Sequence, residues 1–362
     1  MQNNGFLRGR EIAAMVLIIV GIKLSDSTPA LLAQKAQNGF WLIPIIGFVC
    51  IFPSFLILLY LLKKYKDKNL IEMFEQLLGK WGGKILGIIL FLFALFTTTV
   101  QSRNYVEQIK LLYFPESPTI AIFFIFFTVA FFGAKRGIEV IGYTTWIGLL
   151  FVKLSAFLIV ILVFGDVVFE RIYPIFGADF SIVLKEGFLK SSMFGELIFF
   201  LIAYLAAQDT KMFRKGSIIA ACIAILEITL YCIIYVTVFD YNSVSKIAFL
   251  FHDITQFINM GQYFTNIETI FMVFWLFAAF LKFIILGYII VWIYGAVFHI
   301  RNFEPLLLPF CFIIGSYGLL PFSSARNELV FHDQLLNTMS PFLIIFPYIL
   351  LLVAFMKGEL KK

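Results

Sequence analysis

Ten times along this chain of 362 residues the side chains stay apolar for roughly eighteen to thirty positions, and about twenty suffice to span the hydrocarbon core of a bilayer as a helix. In lipid every backbone N–H and C=O needs an internal partner, so only helices and closed barrels cross it. A barrel would show alternating segments of about ten residues, whereas these runs are continuous. Composition agrees. The chain is 61% hydrophobic and 14% charged, with 46 phenylalanines, against roughly one-quarter charged in a soluble domain. The expected fold class is an all-α polytopic membrane protein with about ten transmembrane helices.

The runs fall at roughly 11–33, 40–62, 83–112, 117–134, 138–165, 187–208, 214–239, 266–298, 304–321 and 338–356. Residues 64–80 (KYKDKNLIEMFEQLLGK) read as an amphipathic helix on the cytoplasmic membrane surface. Residues 242–262 read as a re-entrant or extracytoplasmic surface helix. The whole of 1–362 is expected to form a single transmembrane domain. With the N-terminus in the cytoplasm, the inner segments collect seventeen lysines and arginines and the outer ones six. That bias supports ten spans with both ends inside. The first run has the length of an anchor, so no cleavable signal is expected.

Ten spans divide into five and five, and an odd count inverts the second half. Inverted repeats with helices broken at corresponding positions are a common plan of secondary transporters. The halves here are about 8–165 and 186–357. Span 1 reads MVLIIVGIKLSDSTPALL and is interrupted by Gly21, Lys23, Ser25 and Asp26 ahead of Pro29. Its counterpart, span 6, carries Ser191, Ser192, Gly195 and Glu196 near its middle. A break inside a membrane helix is tolerated where it lines a cavity or is buried in protein.

Six ionisable residues lie near span centres: Lys23, Asp26, Lys153, Glu196, Glu227 and Lys282. Three acids match three bases. Such charges cost at least roughly 2.5–3.5 kcal/mol each on insertion scales, so they mark either a ligand or proton site or ion pairs that join helices. In span 3, Thr97, Gln101, Asn104 and Gln108 recur at helical steps and share a face, expected to line an outward vestibule or a polar helix contact. Arg103 and Glu107 are spaced to pair with each other.

Other chemistries find no motif. Cys50, Cys222, Cys232 and Cys311 lie in apolar runs and read as buried free thiols. His252, His299 and His332 make no metal-ligand spacing. No phosphate-binding glycine loop, nucleophile elbow or zinc-binding histidine pair is found. The chain is therefore expected to be no enzyme and to carry no cofactor. Its net charge of +6 follows from the inner-face lysines, and no nucleic acid partner is expected.

Arg10 and Glu11, the 21–29 stretch GIKLSDSTP, and NLIEMFEQLLGKWGGKILG leading into span 3 resemble a known family across the whole chain. It is that of the spore germination permeases, the B subunits of GerA-type germinant receptors, within the amino acid/polyamine/organocation transporter superfamily. The resemblance implies a LeuT-like fold, with spans 1 and 6 unwound around a small germinant such as an amino acid. Half-helix N-termini would point at the ligand carboxylate. Gly21, Ser25, Ser192, Met193 and Gly195 would approach the ligand, with Lys23, Asp26 and Gln101 beside them, and Glu196 would receive its amino group. Some proton-coupled relatives carry a span 5 lysine where sodium-coupled ones bind sodium, which implies proton coupling or ion pairing for Lys153, Lys282 and Glu227. The implied partners are an A-type membrane subunit and a C-type lipoprotein, in the inner membrane of a bacterial endospore. A proton-coupled amino acid or organic cation permease is the alternative on the same fold.

Overall fold

The computed structural model describes residues 7–177, 179–258, 267–320 and 326–359. They form helices throughout, and among them the sole β pairing is an isolated bridge from Leu7 to Ala207. The first run is two helices, α1 (Gly9–Gly21) and α2 (Thr28–Ala36), separated by a 3-10 turn at Ile22–Ser25. Then follow α3 (Leu42–Lys64), α4 (Leu70–Tyr113), α5 (Thr119–Ala134) and α6 (Gly137–Val163). The sixth run breaks again, between α7 (Phe180–Leu189) and the short α8 (Glu196–Phe199), and its two arms meet at a 45° bend. The rest comprises α9 (Thr210–Phe239), α10 (Tyr241–Val244), α11 (Leu250–Phe257), α12 (Ile267–Val297), α13 (Leu307–Gly318) and α14 (Asp333–Met356).

Length and apolar composition qualify six described helical stretches to cross a bilayer, or seven if the bent pair is one span. Three elements account for the difference from ten. α1 is cut at 13 residues by its break, while α5 and α13 have 16 and 12. The outer surface suits lipid. Phe124, Phe157, Leu226 and Phe312 are all more than 60% exposed, far beyond what a water-facing surface tolerates as a contiguous patch. The four cysteines are free, but only Cys232 is buried and Cys222 is exposed, because α9 turns that side outward.

Helix packing gives a centre and a rim. Of the most apolar stretch of α12, 72% is buried, against 28% for α6. α12 lies against α4, α5 and α6, while α4 carries α13 and α14 on its other side. α1 packs on α9 and α6; α3 packs on α7 and α14. Trp275 stacks on Tyr105 and Trp292 on Phe303, at 5.6 and 5.9 Å, so both serve as packing. Trp146 lies beneath the Arg10 guanidinium.

Two connections differ from expectation. Residues 64–80 are shorter as a helix than their periodicity suggests: α3 continues to Lys64, and 70–78 form a helical arm set off from the rest of α4 at Gly79. Asn69 caps α4 by accepting from the Ile71 and Glu72 amides, and Glu72 reaches back to the Asn69 amide, a capping box. At Gly79 the backbone takes φ 79, ψ 165, a region held essentially by glycine alone. There the chain reverses so tightly that a Cβ on Gly83 would sit 2.3 Å from the Glu75 amide nitrogen. Residues 242–262 hold two short helices, α10 and α11, and beyond Ile258 they lie outside the described residues. In α11, Leu250 and Ile254 are fully buried, so this segment is packed into the protein against α12 and the break of the first run.

The turn generates a prediction. Gly79→Ala should cost about 1–3 kcal/mol of backbone strain. Gly83→Ala should cost more, since the atoms in its way are backbone. Thermal unfolding of the purified variants checks the order, and equal midpoints would show that the reversal is not strained.

Candidate ligand site at the two broken helices

The first break is closed by side chains. After Gly21 the helix tightens, and Asp26 adopts an extended conformation before α2 starts with Pro29 in its first turn. Three carbonyls of the break are taken by side chains. The Ser25 hydroxyl donates to the Ile22 carbonyl at 2.7 Å, and the Tyr235 hydroxyl to that of Leu24 at 2.6 Å. Gln108 Nε2 approaches the Ser25 carbonyl at 3.5 Å. At the head of α2, the Thr28 amide donates to Asp26 Oδ1 at 2.8 Å, so an acid of this chain already occupies that helix N-terminus.

The second break is closed in the same way, with α14 as the donor and acceptor. The Ser192 amide donates to Ser340 Oγ at 2.9 Å, and the Ser192 hydroxyl donates to the Leu336 carbonyl at 2.9 Å. Ser340 Oγ also donates to the Leu189 carbonyl at 2.7 Å. Met193 is buried, and a Cβ on Gly195 would lie 2.9 Å from Leu343 and from the Ser192 carbonyl. The helix can follow this course only with glycine or a local shift there.

The charges fall into two groups. In the inner one, Lys23 Nζ meets Glu196 Oε1 at 2.5 Å with both side chains 1% exposed, and Gln101 Nε2 donates to the same oxygen at 3.1 Å. The break of the first run is thereby tied to that of the sixth. Lys282 on α12 is fully buried, and its ammonium makes no hydrogen bond or ion pair among the described residues. It sits 5.0 Å over the Tyr105 ring, within the field of Lys23, Asp26 and Glu196. In the outer group, Lys153 and Glu227 form a half-buried ion pair. They flank Gly21, whose Cβ would lie 3.6 Å from the Lys153 ammonium and 3.4 Å from Glu227 Oε2.

The polar face of α4 fans out from there. Thr97 turns to Met339, Gln101 to Glu196 and Gln108 to Ser25. Only Asn104 of the four lines the cleft of about 280 Å³ that also borders Ser27, Gln34, Lys246 and Glu328. Arg103 pairs with Glu107 at 2.9 Å and donates to the Gly318 and Leu320 carbonyls.

Two clusters escaped the sequence reading. Asn327–His332 is a π-helix leading into α14, a geometry that recurs at functional sites. Its Glu328 takes His332 Nδ1 at 2.9 Å and pairs with Asn104, which also receives Asn327 at 2.5 Å. Lys190 is 1% exposed and meets Asp333 at 2.6 Å and Asn337 at 2.5 Å. Lys35 reaches Asp333 at 3.2 Å, so α2, α7 and α14 converge. The available signals were the i,i+4 spacing of Glu328 and His332 and the need of the α4 polar face for partners.

Removing one member of a buried pair leaves an uncompensated charge and costs about 3–5 kcal/mol. Lys23→Met and Glu196→Gln should each destabilise the protein on that scale, and the double variant should recover part of the loss. A double-mutant cycle on thermal unfolding measures this, and strictly additive losses would show that the two are not coupled.

Comparison with known proteins places this geometry. The family model described as spore germination protein matches residues 11–326. Spore germination protein KB of Bacillus subtilis (strain 168) is 22% identical over 363 aligned positions, covering 96% of this chain and 95% of that protein. YfkT of the same organism, likewise named for spore germination, is 22% identical over 308, covering 84% of this chain and 82% of its own length. The matched region includes both breaks, and this chain belongs to the spore germination protein family.

Proposed function

We propose that this chain is the ligand-binding subunit of a spore germination receptor, which holds a small germinant, an amino acid, between its two broken helices. The observation that carries the reading is the Lys23–Glu196 pair, 2.5 Å long and dry. It joins two interrupted helices in the core of a membrane protein of a germination family. Binding there would favour one packing of the broken helices against α4, α5, α12 and α13, and a ligand shifts such an equilibrium by its differential affinity for the two packings. An A-type membrane subunit and a C-type lipoprotein would receive that shift in the inner spore membrane.

The architecture is read as ten spans with both ends cytoplasmic, in two inverted halves. Helix packing supports the repeat. Exchanging the halves carries the α1–α9 contact onto α7–α3, the α6–α12 contact onto α14–α4, and the α5–α12 contact onto α13–α4, and all six are present.

A second reading, a proton-coupled amino acid or organic cation permease, is favoured by Lys153 and Glu227. They stand beside Gly21 next to a small cavity of about 30 Å³ under Phe251, where protonation of Glu227 would release Lys153. Thermal unfolding of the purified protein against amino acids, sugars and nucleosides, followed by counterflow uptake of any stabilising compound into liposomes, separates the readings. Stabilisation without exchange supports the receptor. Saturable exchange supports the permease, and then Lys153→Ala should abolish the pH dependence of uptake. If no amino acid stabilises the protein, the amino acid reading is lost.

A further inference from the structure

We propose that Lys282 and Asp26 are the two halves of an ion pair held apart for a zwitterionic ligand, with the ligand carboxylate on Lys282 and its ammonium on Asp26. This rests on the reading of the broken-helix core as an amino acid site, and it sets the polarity of that site.

The argument proceeds by elimination among groups on the page. Glu196, the one acid of the second break, is satisfied by Lys23 and Gln101, so the chain supplies its own ammonium where a ligand amine would otherwise sit. The N-terminus of α2 is satisfied by Asp26 Oδ1, and the Ser192 amide by Ser340. Neither helix end is left to hold a carboxylate. What remains is an ammonium and a carboxylate without an ion-pair partner. Lys282 has no hydrogen bond or ion pair among the described residues although it is fully buried. Asp26 is 5% exposed and makes no ion pair among them. Each lies in the other's field, yet no salt bridge joins them.

A buried ammonium without a partner is costly, and the ring of Tyr105 beneath it returns only part of the loss. Direct contact with Asp26 would remove the cost, but Asp26 is fixed by the Thr28 amide on α2 and Lys282 by the enclosed helix α12. A zwitterionic molecule supplies each of them with a partner of opposite charge. The Lys23–Glu196 pair is then a clamp between the breaks and not a ligand contact. Among the other charges facing Lys282, Lys23 repels it and Glu196 attracts it.

The test uses the full chain in lipid nanodiscs, with thermal unfolding as the readout and the proteinogenic amino acids as probes, each alone. For any that stabilises the wild type, its carboxamide and its α-hydroxy acid are compared with it. Each loses one charge-assisted hydrogen bond, so each should bind roughly ten- to a hundredfold more weakly. Lys282→Gln should erase the preference for acid over amide and keep that for amine over hydroxyl. Asp26→Asn should do the reverse. An amide that binds as tightly as its acid, or a Lys282→Gln protein that keeps the wild-type preference, overturns the assignment while leaving the amino acid reading standing. If a variant does not fold, the analogue comparison on the wild type decides alone. Absence of stabilisation by every amino acid, read on the wild type before any analogue is used, sinks the underlying reading and this assignment with it.

Discussion

A helix broken inside a membrane leaves carbonyls and amides that no lipid can satisfy, and the architecture of this protein is arranged around closing two such breaks. The first is closed by α4 and α9, through Gln108 and Tyr235. The second is closed by α14, through Ser340 and the Leu336 carbonyl. The Lys23–Glu196 pair then joins one break to the other. Each closure takes its partners from helices distant in sequence, α4 and α9 for the first break and α14 for the second. Ordering the core and ordering the bundle are one event.

This coupling gives the core its functional character. With the backbone satisfied from outside, the groups still seeking partners are side-chain charges, chiefly Lys282 and Asp26. Rigid neighbours hold them: α12 is the most enclosed of the membrane helices, and Asp26 caps α2. The second ion pair, Lys153 with Glu227, lies on the far side of Gly21 and is half exposed. It is therefore less enclosed than the inner pair. The network of Lys35, Lys190, Asp333 and Asn337 stands at the same end as the π-helix, where the half-helix α2 meets α7 and α14.

Much of this was legible in the chain. GIKLSDSTP announced the first break, SSMFGE the second, and the apolar runs the membrane. The six central charges stood out because a charge in lipid is costly; the structure buries Lys23, Asp26, Glu196 and Lys282 and leaves Lys153 and Glu227 partly exposed. Their pairing was not legible. Glu196 read as a receptor for a ligand amine, and the structure gives it Lys23. Asn104 and Gln101 share a helix face by spacing, yet they serve different partners, Glu328 and Glu196. Burial of Lys190 by α14 leaves no mark in the residues around it. The stretch 64–80 read as one helix because its periodicity is helical on both sides of Gly79, and only the reversal at that glycine shows the fold-back.

The sequence by itself determined what is local: apolar length, which requires helices in a bilayer, and the small and polar residues that interrupt them, which require a break. Tertiary structure decided everything that depends on which helices are neighbours. That covers which carbonyl each hydroxyl caps, which acid each lysine meets, and which charges are left apart. The physical reason is that hydrogen bonds and ion pairs act over a few ångströms, and positions as far apart in sequence as Lys23 and Glu196 come within that range only when the helices have packed.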